Sequence, residues 1–575
     1  MHGVGTGSGL RPLEPCESGY GTDSTAGSWP RTVRRLRRLR RAAWPAAAAV
    51  TALVVFLCSL HEARTLSVNS DGASDALQAW AMLHGNLLLH GWYLGDASFY
   101  TTELPEYMLV DSIRGLRPDV VWVSAALTYT LLVLLAAFVA KGRATGRAGA
   151  ARAAIAVGIL LAPSLSAVGN LLSSPDHVGS AVPVLAVLAL LDWAGRRWYV
   201  PLLIGLVLAW AVVGDPLVLL IGVVPVLVVC LTRVGNKVMR LRHPLRDAWY
   251  ELSLAGAVVI AAGAAFAADH VIRASGGYVP AGSMNQFMPS AALMPGNVAG
   301  TGQDLLSLFS ADFFGEQFGP GLFVTAVHLI SVALVFVAVW LVVRRLFWTA
   351  DLTVAILATA IIVNVLAYVV IFPASSWYVH EMAPVVPLGA ALAGRVLTGP
   401  LLRNRLEPLL ALLLVFWALT LAPPILSGQP AAADTGLAAW LEAHHLNDGI
   451  AGYWLANLTT LNSGGQVSMR AVMDTQCSGV TPMAWEANAA LLNSRAYDVN
   501  FFLTDSLSIN QGAAISEFGK PARVYHFQGY TILTWRKNLL PRLDRNGLRP
   551  LARSLNGSLW QLLEVSDPSC VIIQS

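Results

Sequence analysis

The sequence predicts a polytopic α-helical membrane protein that ends in a mixed α/β domain. Three observations predict it. Of its 575 residues, 55% are hydrophobic and only 13% are charged, about half the charged share of a soluble domain. The apolar residues gather in runs of about 16–22, the length that crosses a bilayer core about 30 Å thick. Basic residues alternate with those runs as the positive-inside rule requires. The five cysteines (Cys16, Cys58, Cys230, Cys477, Cys570) have no metal-binding spacing, so no structural zinc site is expected.

Residues 1–42 are rich in Gly, Ser and Pro and then in Arg (Arg31, Arg34, Arg35, Arg37, Arg38, Arg40, Arg41). They read as a disordered basic cytoplasmic tail. The first apolar run could instead be a signal peptide, but the basic region before it is far too long and no small-x-small site precedes His61. Runs follow at 43–60, 120–140, 152–169, 178–193, 198–213, 216–232, 250–268, 321–343, 352–372, 383–398 and 407–426. They predict about eleven transmembrane helices in a domain spanning 43–426. With the N-terminus inside, every inner loop is basic, whereas the outer loops before residue 427 hold only Arg64, Arg114, Arg117 and Arg273. This places the chain in the cytoplasmic (plasma) membrane with residues 427–575 outside the cytoplasm.

That last segment changes character. Ala438–Leu446 has helical spacing, and Val467–Val472 alternates like a strand. Val499–Leu503, Ala522–Phe527 and Tyr530–Trp535 also read as strands, the last two joined across Gln528–Gly529 as a hairpin. A Cys477–Cys570 disulfide is expected on that oxidising side.

Two outer loops, 61–119 and 269–320, are long, which in a compact protein is a sign of function. In the first, Ala76, Leu77, Trp80, Leu83, Leu87 and Leu88 share one helical face and predict a helix lying along the membrane surface. Asp71 and Asp75, four apart just after the first run, share a helix face. Asp176 and His177 stand in the loop SSPDH, Asp215 in a tight turn, and Glu381 in WYVHEMAP at the mouth of a late span. Carboxylates near membrane depth are costly, which makes them candidate functional groups.

The stretch Asn69–Tyr107, with Asp71, Asp75, HGNLLLHGW (His84–Trp92) and FYTTELP (Phe99–Pro105), resembles the first outer loop of the GT-C class of membrane glycosyltransferases. SSPDH stands where some members have a second acidic site, and WYVHEMAPVVPLG (Trp377–Gly389) is similar to a late segment of that class. Many relatives have Arg where His380 or Glu381 stands here. The resemblance implies an inverting transferase like the protein mannosyltransferases and arabinosyltransferases. Its donor would be a polyprenyl-phosphate-linked sugar and its acceptor a cell-envelope glycan or protein, with membrane lipids around it and no nucleic-acid partner.

Such a reaction needs a base for the acceptor hydroxyl and charge stabilisation for the leaving phosphate. Asp71 or Asp75 is the candidate base, and Asp71 is preferred as the nearer to the membrane surface. Its alternative role is capping a helix that begins near Ala73. Arg64, Arg114, Arg117 and His380 with Glu381 are candidates for the phosphate or substrate. Trp377 and Tyr378 would stack on sugar, although interfacial aromatic belts have the same composition. A divalent cation, Mg or Mn, would be held by Asp71, Asp176 and His177. Two other functions fit the same architecture: a lipid-linked glycan transporter or flippase, and a catalytically inactive envelope-assembly protein.

Overall fold

The computed structural model describes residues 31–546 apart from 162, 164–165, 175, 241–243, 278–286, 346–350, 372–375, 423–425, 427–434, 476–478, 506–508 and 510. Cys16, Cys477 and Cys570 lie outside the described residues, and with them the expected disulfide. The chain divides into a short unit, Met1–Val50, and a large one, Thr51–Ser575. The described part of the short unit belongs to α1 (Arg31–Ala63). That helix starts within the stretch expected to be a tail, because Arg, Leu and Ala are good helix formers.

The large unit continues with α2 (Ser70–Leu83), α3 (Leu104–Arg114), α4 (Asp119–Lys141), α5 (Gly146–Leu160), α6 (Ser166–Leu171), α7 (Ala181–Ala194), α8 (Val200–Gly214) and α9 (Val224–Gly235). Next come α10 (Trp249–Ala274), α11 (Met294–Leu308), α12 (Pro320–Val343), α13 (Leu352–Ile371), α14 (Val385–Arg403) and α15 (Glu407–Leu419). Each apolar run of the sequence is helical over most of its described length. Among the described residues seven helices are long and apolar enough to cross a membrane, while α7, α8 and α15 are apolar but shorter. The run 152–169 is not one helix. α5 stops at Leu160 and α6 begins at Ser166, with Pro163, which has no N–H to donate, between them.

The ends of these helices gather in two sets. At one end, Arg395 of α14 pairs with Asp192 (Nη2 to Oδ1, 2.8 Å) and with Asp351 just before α13 (2.9 Å). It also donates to the Val139 carbonyl of α4. Arg143, just past α4, donates to the Asp192 carbonyl at 2.6 Å. At the other end lie the segments that leave α1, α6, α8 and α13, and they form the site described below.

The C-terminal part is a six-stranded sheet of order β4-β3-β2-β6-β8-β7. Its strands are β2 (Asp448–Gly452), β3 (Ser468–Thr475), β4 (Gly479–Pro482), β6 (Phe501–Thr504), β7 (Arg523–Phe527) and β8 (Tyr530–Thr534). β2 runs parallel to β3 and β6, and the other pairs are antiparallel. The β7–β8 hairpin turns at Gln528 (φ 47°) and Gly529 (φ 89°), a left-handed pair that suits the twist of a two-residue turn. α16 (Thr435–Ala443) and α17 (Tyr453–Asn462) cover one face through Leu437, Leu441, Leu455 and Ala456. α18 (Gln511–Phe518) and α19 (Leu540–Asn546) cover the other through Ala514, Phe518, Leu540 and Leu543. A short ladder of β1 (Trp92–Tyr93) with β5 (Ala487–Asn488) ties the first outer loop to this domain.

α2 differs from the helix expected to lie on the membrane surface. It buries Gly72, Ala73, Asp75, Ala76, Gln78, Ala79 and Met82, polar and apolar residues together. It ends at Leu83, before Gly85 (φ 96°), so Leu87 and Leu88 are not on it. The cap is Asn69, whose side chain accepts from Gly72 N at 2.9 Å. Asp71 is therefore not the cap and is free for another role. Gly72 is needed for packing, since a Cβ there would meet Val121 at 2.7 Å and Ser174 at 3.2 Å.

Candidate functional site

Asp71 and Asp75 lie one turn apart on α2. The Tyr453 hydroxyl of α17 donates to Asp71 Oδ1, and the hydroxyl oxygen itself lies 2.8 Å from Glu486 Oε2. Burial and the nearby charge of Asp176 push the Asp71 carboxyl up to about 6, against the hydrogen bond from Tyr453 that lowers it. Asp75 is 1% exposed, and its Oδ2 has no partner among the described residues. Burial, then Asp176, Glu486 and Glu103, hold it well above the usual carboxylate range.

Asp176 accepts from Ser174 Oγ at 2.6 Å, and its Oδ1 is unpartnered among the described residues. His177, next to it, has φ 53°, and Val178 N reaches back to the Asp176 carbonyl at 2.5 Å. This is a three-residue turn of a kind that costs strain and projects one side chain sharply. The ring points inward. Nδ1 lies 2.8 Å from Asp215 Oδ2, while Nε2 faces Asp96 at 3.4 Å and Glu381 at 3.7 Å. Asp215 also accepts from Ser180 Oγ and Leu217 N, so it is the acceptor and His177 Nδ1 the donor. Burial disfavours the imidazolium, but Asp215, Glu381 and Asp96 outweigh it and raise the ring well above its ordinary value. Burial likewise opposes the charge on Asp96, and His177 more than compensates, bringing Asp96 down to about 2.

His380 stacks on His177, with ring centroids 5.4 Å apart and planes 10° apart. Ligand atoms of His177, His380 and Glu381 lie within 4.8 Å of one another. The carbonyl of Glu381 accepts from Asn364 of α13 at 3.2 Å. Glu103 enters from the first loop beside Gly179, where a Cβ would meet its Oε1 at 2.6 Å. Burial and Asp215 hold its carboxyl well above the usual range.

Eight carboxyl groups thus meet: Asp71, Asp75, Asp96, Glu103, Asp176, Asp215, Glu381 and Glu486. Among the described residues no lysine or arginine forms an ion pair with any of them. Buried like charges of this number persist only by keeping protons or by sharing a cation.

The arginines expected at a phosphate form no ion pair with this cluster among the described residues. Arg114 is exposed and pairs with Asp119. Arg64 and Arg117 are exposed, and among the described residues neither forms an ion pair. Tyr378 is half-buried, and the Trp377 side chain lies outside the described residues. The sequence offered Asp215 as a candidate functional group in a tight turn, and did not single out Asp96, Glu103, Tyr453 or Glu486 as site residues. Asn457 of α17 is buried and donates from Nδ2 to Glu486 O at 2.9 Å.

No family model matches the sequence, and no curated protein matches it. Among solved structures, the chain is similar to the apo oligosaccharyltransferase of Archaeoglobus fulgidus, with a TM-score of 0.42 and 13% identity. That match covers 80% of this chain and 69% of the other, a likeness too distant to carry residue roles across.

Proposed function

We propose that the chain is a membrane glycosyltransferase that moves a sugar from a polyprenyl-phosphate donor to a cell-envelope acceptor. The observation that supports it is the meeting of eight carboxyl groups and two histidines at one end of the helices, with the Asp71 carboxyl among them raised to about 6 by burial and by Asp176. In this reading Asp71 takes the proton of the acceptor hydroxyl. The acceptor oxygen then forms its bond to the sugar C1 while the bond from C1 to the phosphate oxygen breaks. The phosphate leaves with the electron pair, and a single displacement inverts the anomeric centre. A carboxyl near pKa 6 suits this task better than an ordinary aspartate.

The residues fit a divalent cation at His177, His380 and Glu381, with Asp215 fixing the His177 ring from behind. Two imidazole nitrogens and one carboxylate favour Mn, or a later transition ion, over Mg. When bound, such an ion would stabilise the charge that develops on the leaving phosphate.

Eleven crossings, with the site and the C-terminal domain outside the cytoplasm, complete the reading. It is supported by which segments meet. The site is built from the exits of the first, third, fifth and ninth apolar runs and from the domain after the eleventh, whereas the Asp192–Arg395–Asp351 set comes from the opposite ends.

The test uses membranes carrying the full chain, incubated with radiolabelled polyprenyl-phosphate mannose, arabinose and oligosaccharide, with and without Mn. The wild type should transfer label to the envelope or protein fraction, and Asp71→Asn should lose about 10²- to 10⁴-fold. Equal transfer by both proteins, or none by the wild type with any donor, overturns the proposal.

A further inference from the structure

The C-terminal domain is more than a cap on the helices. α17 and the β5 turn reach the first turn of α2, and several hydrogen bonds fix them there. Ser70 Oγ donates to the Tyr453 carbonyl at 2.7 Å. Ser74 Oγ and Asn457 Nδ2 donate to the Glu486 carbonyl at 3.1 and 2.9 Å. Glu486 is held at φ 41°, a left-handed conformation unusual for a residue with a side chain, immediately before the β1–β5 ladder. Its carboxyl lies against Gly95, where a Cβ would meet Oε1 at 2.7 Å. Strain of this kind persists only where the surroundings over-determine it.

The Tyr453 hydroxyl stands between two carboxyl groups and has one hydrogen. If it donates to one carboxyl, the other must donate to it. The backbone decides which. Asp71 is in the first turn of α2, a 14-residue helix whose N-terminal N–H groups favour negative charge. Glu486 immediately precedes a strand, β5, instead of starting a helix, and is 5% exposed. The hydrogen bonds therefore run in one direction, from Glu486 to Tyr453 and from Tyr453 to Asp71. They engage Asp71 Oδ1, and among the described residues Oδ2 has a long contact, 3.4 Å, to Asn69 Nδ2.

We infer that Tyr453 and a protonated Glu486 are positioning residues of the transfer reaction, which fix Asp71 with Oδ2 turned toward the acceptor hydroxyl. This rests on the reading of Asp71 as the base. The C-terminal domain thus completes the base, and the base is in place only when that domain is seated on α2.

The test uses the full chain in membranes with whichever polyprenyl-phosphate sugar serves as donor for the wild type. Tyr453→Phe should lower kcat by about 10- to 100-fold with KM for the donor within about two-fold, the effect of losing one hydrogen bond to a charged group. Glu486→Gln keeps an N–H that can donate to Tyr453, so its kcat should stay within about three-fold of wild type, whereas Glu486→Leu should fall as far as Tyr453→Phe. A Tyr453→Phe protein at wild-type rate, or a Glu486→Gln protein as impaired as Glu486→Leu, overturns the inference. An infrared difference spectrum between wild type and Glu486→Gln reads the pair without substrate. It should show the C=O stretch of a protonated carboxyl, and its absence overturns the inference. If Asp71→Asn keeps full transfer, the enzymatic reading falls and takes this one with it. If Asp71→Asn abolishes transfer and Tyr453→Phe does not, the positioning role alone falls.

Discussion

Asp111, on α3 and outside the membrane-crossing helices, isolates the cost of burying a single acid. Both its carboxyl oxygens are buried without a partner among the described residues. Burial raises it to about 8. In the unfolded chain the group titrates near 3.9, so between about pH 4 and pH 8 folding must take up a proton. Stability from this residue is full below about pH 4 and is lost as pH rises to about 8. Asp111→Asn removes the titration while keeping the shape. The variant should be more stable than wild type at pH 7 by up to about 4 kcal/mol, at about 1.4 kcal/mol per pKa unit, and equal to it near pH 4. Thermal unfolding of the solubilised protein, followed by tryptophan fluorescence at both pH values, checks this; equal midpoints at pH 7 would refute it. In the proposed reaction the same physics at Asp71 has the opposite use, since there a raised carboxyl would serve as the base.

Among the elements, close helix packing depends on small residues, as in membrane bundles generally. Gly158 of α5 lies under the ring of Trp417 of α15, with no room for a Cβ. The Trp417 indole is fully buried and donates to Ser331 Oγ of α12 at 2.9 Å, so three helices meet at this contact. Gly158→Val should lower the unfolding midpoint by the equivalent of about 1–3 kcal/mol of overpacking. Adding Trp417→Leu should recover part of that loss, and a double variant no better than the single one would show that the ring is not the obstacle. The helices themselves were legible because apolar runs of spanning length leave few alternatives. α2 was legible as a helix but misjudged as a surface one. Its acids and Gln78 face into the protein, and periodicity reports only where apolar residues fall. β2 was missed because Asp-Gly-Ile-Ala-Gly carries no alternation, and it is the strand that lies between β3 and β6.

For the whole molecule, the testable statement is sidedness. In a background without native cysteines, Ser67→Cys and Lys520→Cys should react with a membrane-impermeant maleimide in intact cells. Thr145→Cys should react only after permeabilisation, and labelling of Thr145→Cys in intact cells would invert the topology. The sequence by itself determined that the chain is apolar enough to cross a membrane many times, which loops are basic, and that Asp71 and Asp75 share a helix face. These properties are local: hydropathy, charge and a 3.6-residue period are written in neighbouring residues. Only the tertiary structure decided that Asp96, Glu103, Asp215, Tyr453 and Glu486 join them. Those residues come from separate segments, Tyr453 382 positions after Asp71, and no local pattern records a meeting that is fixed by helix ends, a strained turn at His177 and the docking of α17 on α2. An acid in a loop costs nothing in water, and it becomes a candidate for chemistry only when folding removes the water and brings other charges beside it.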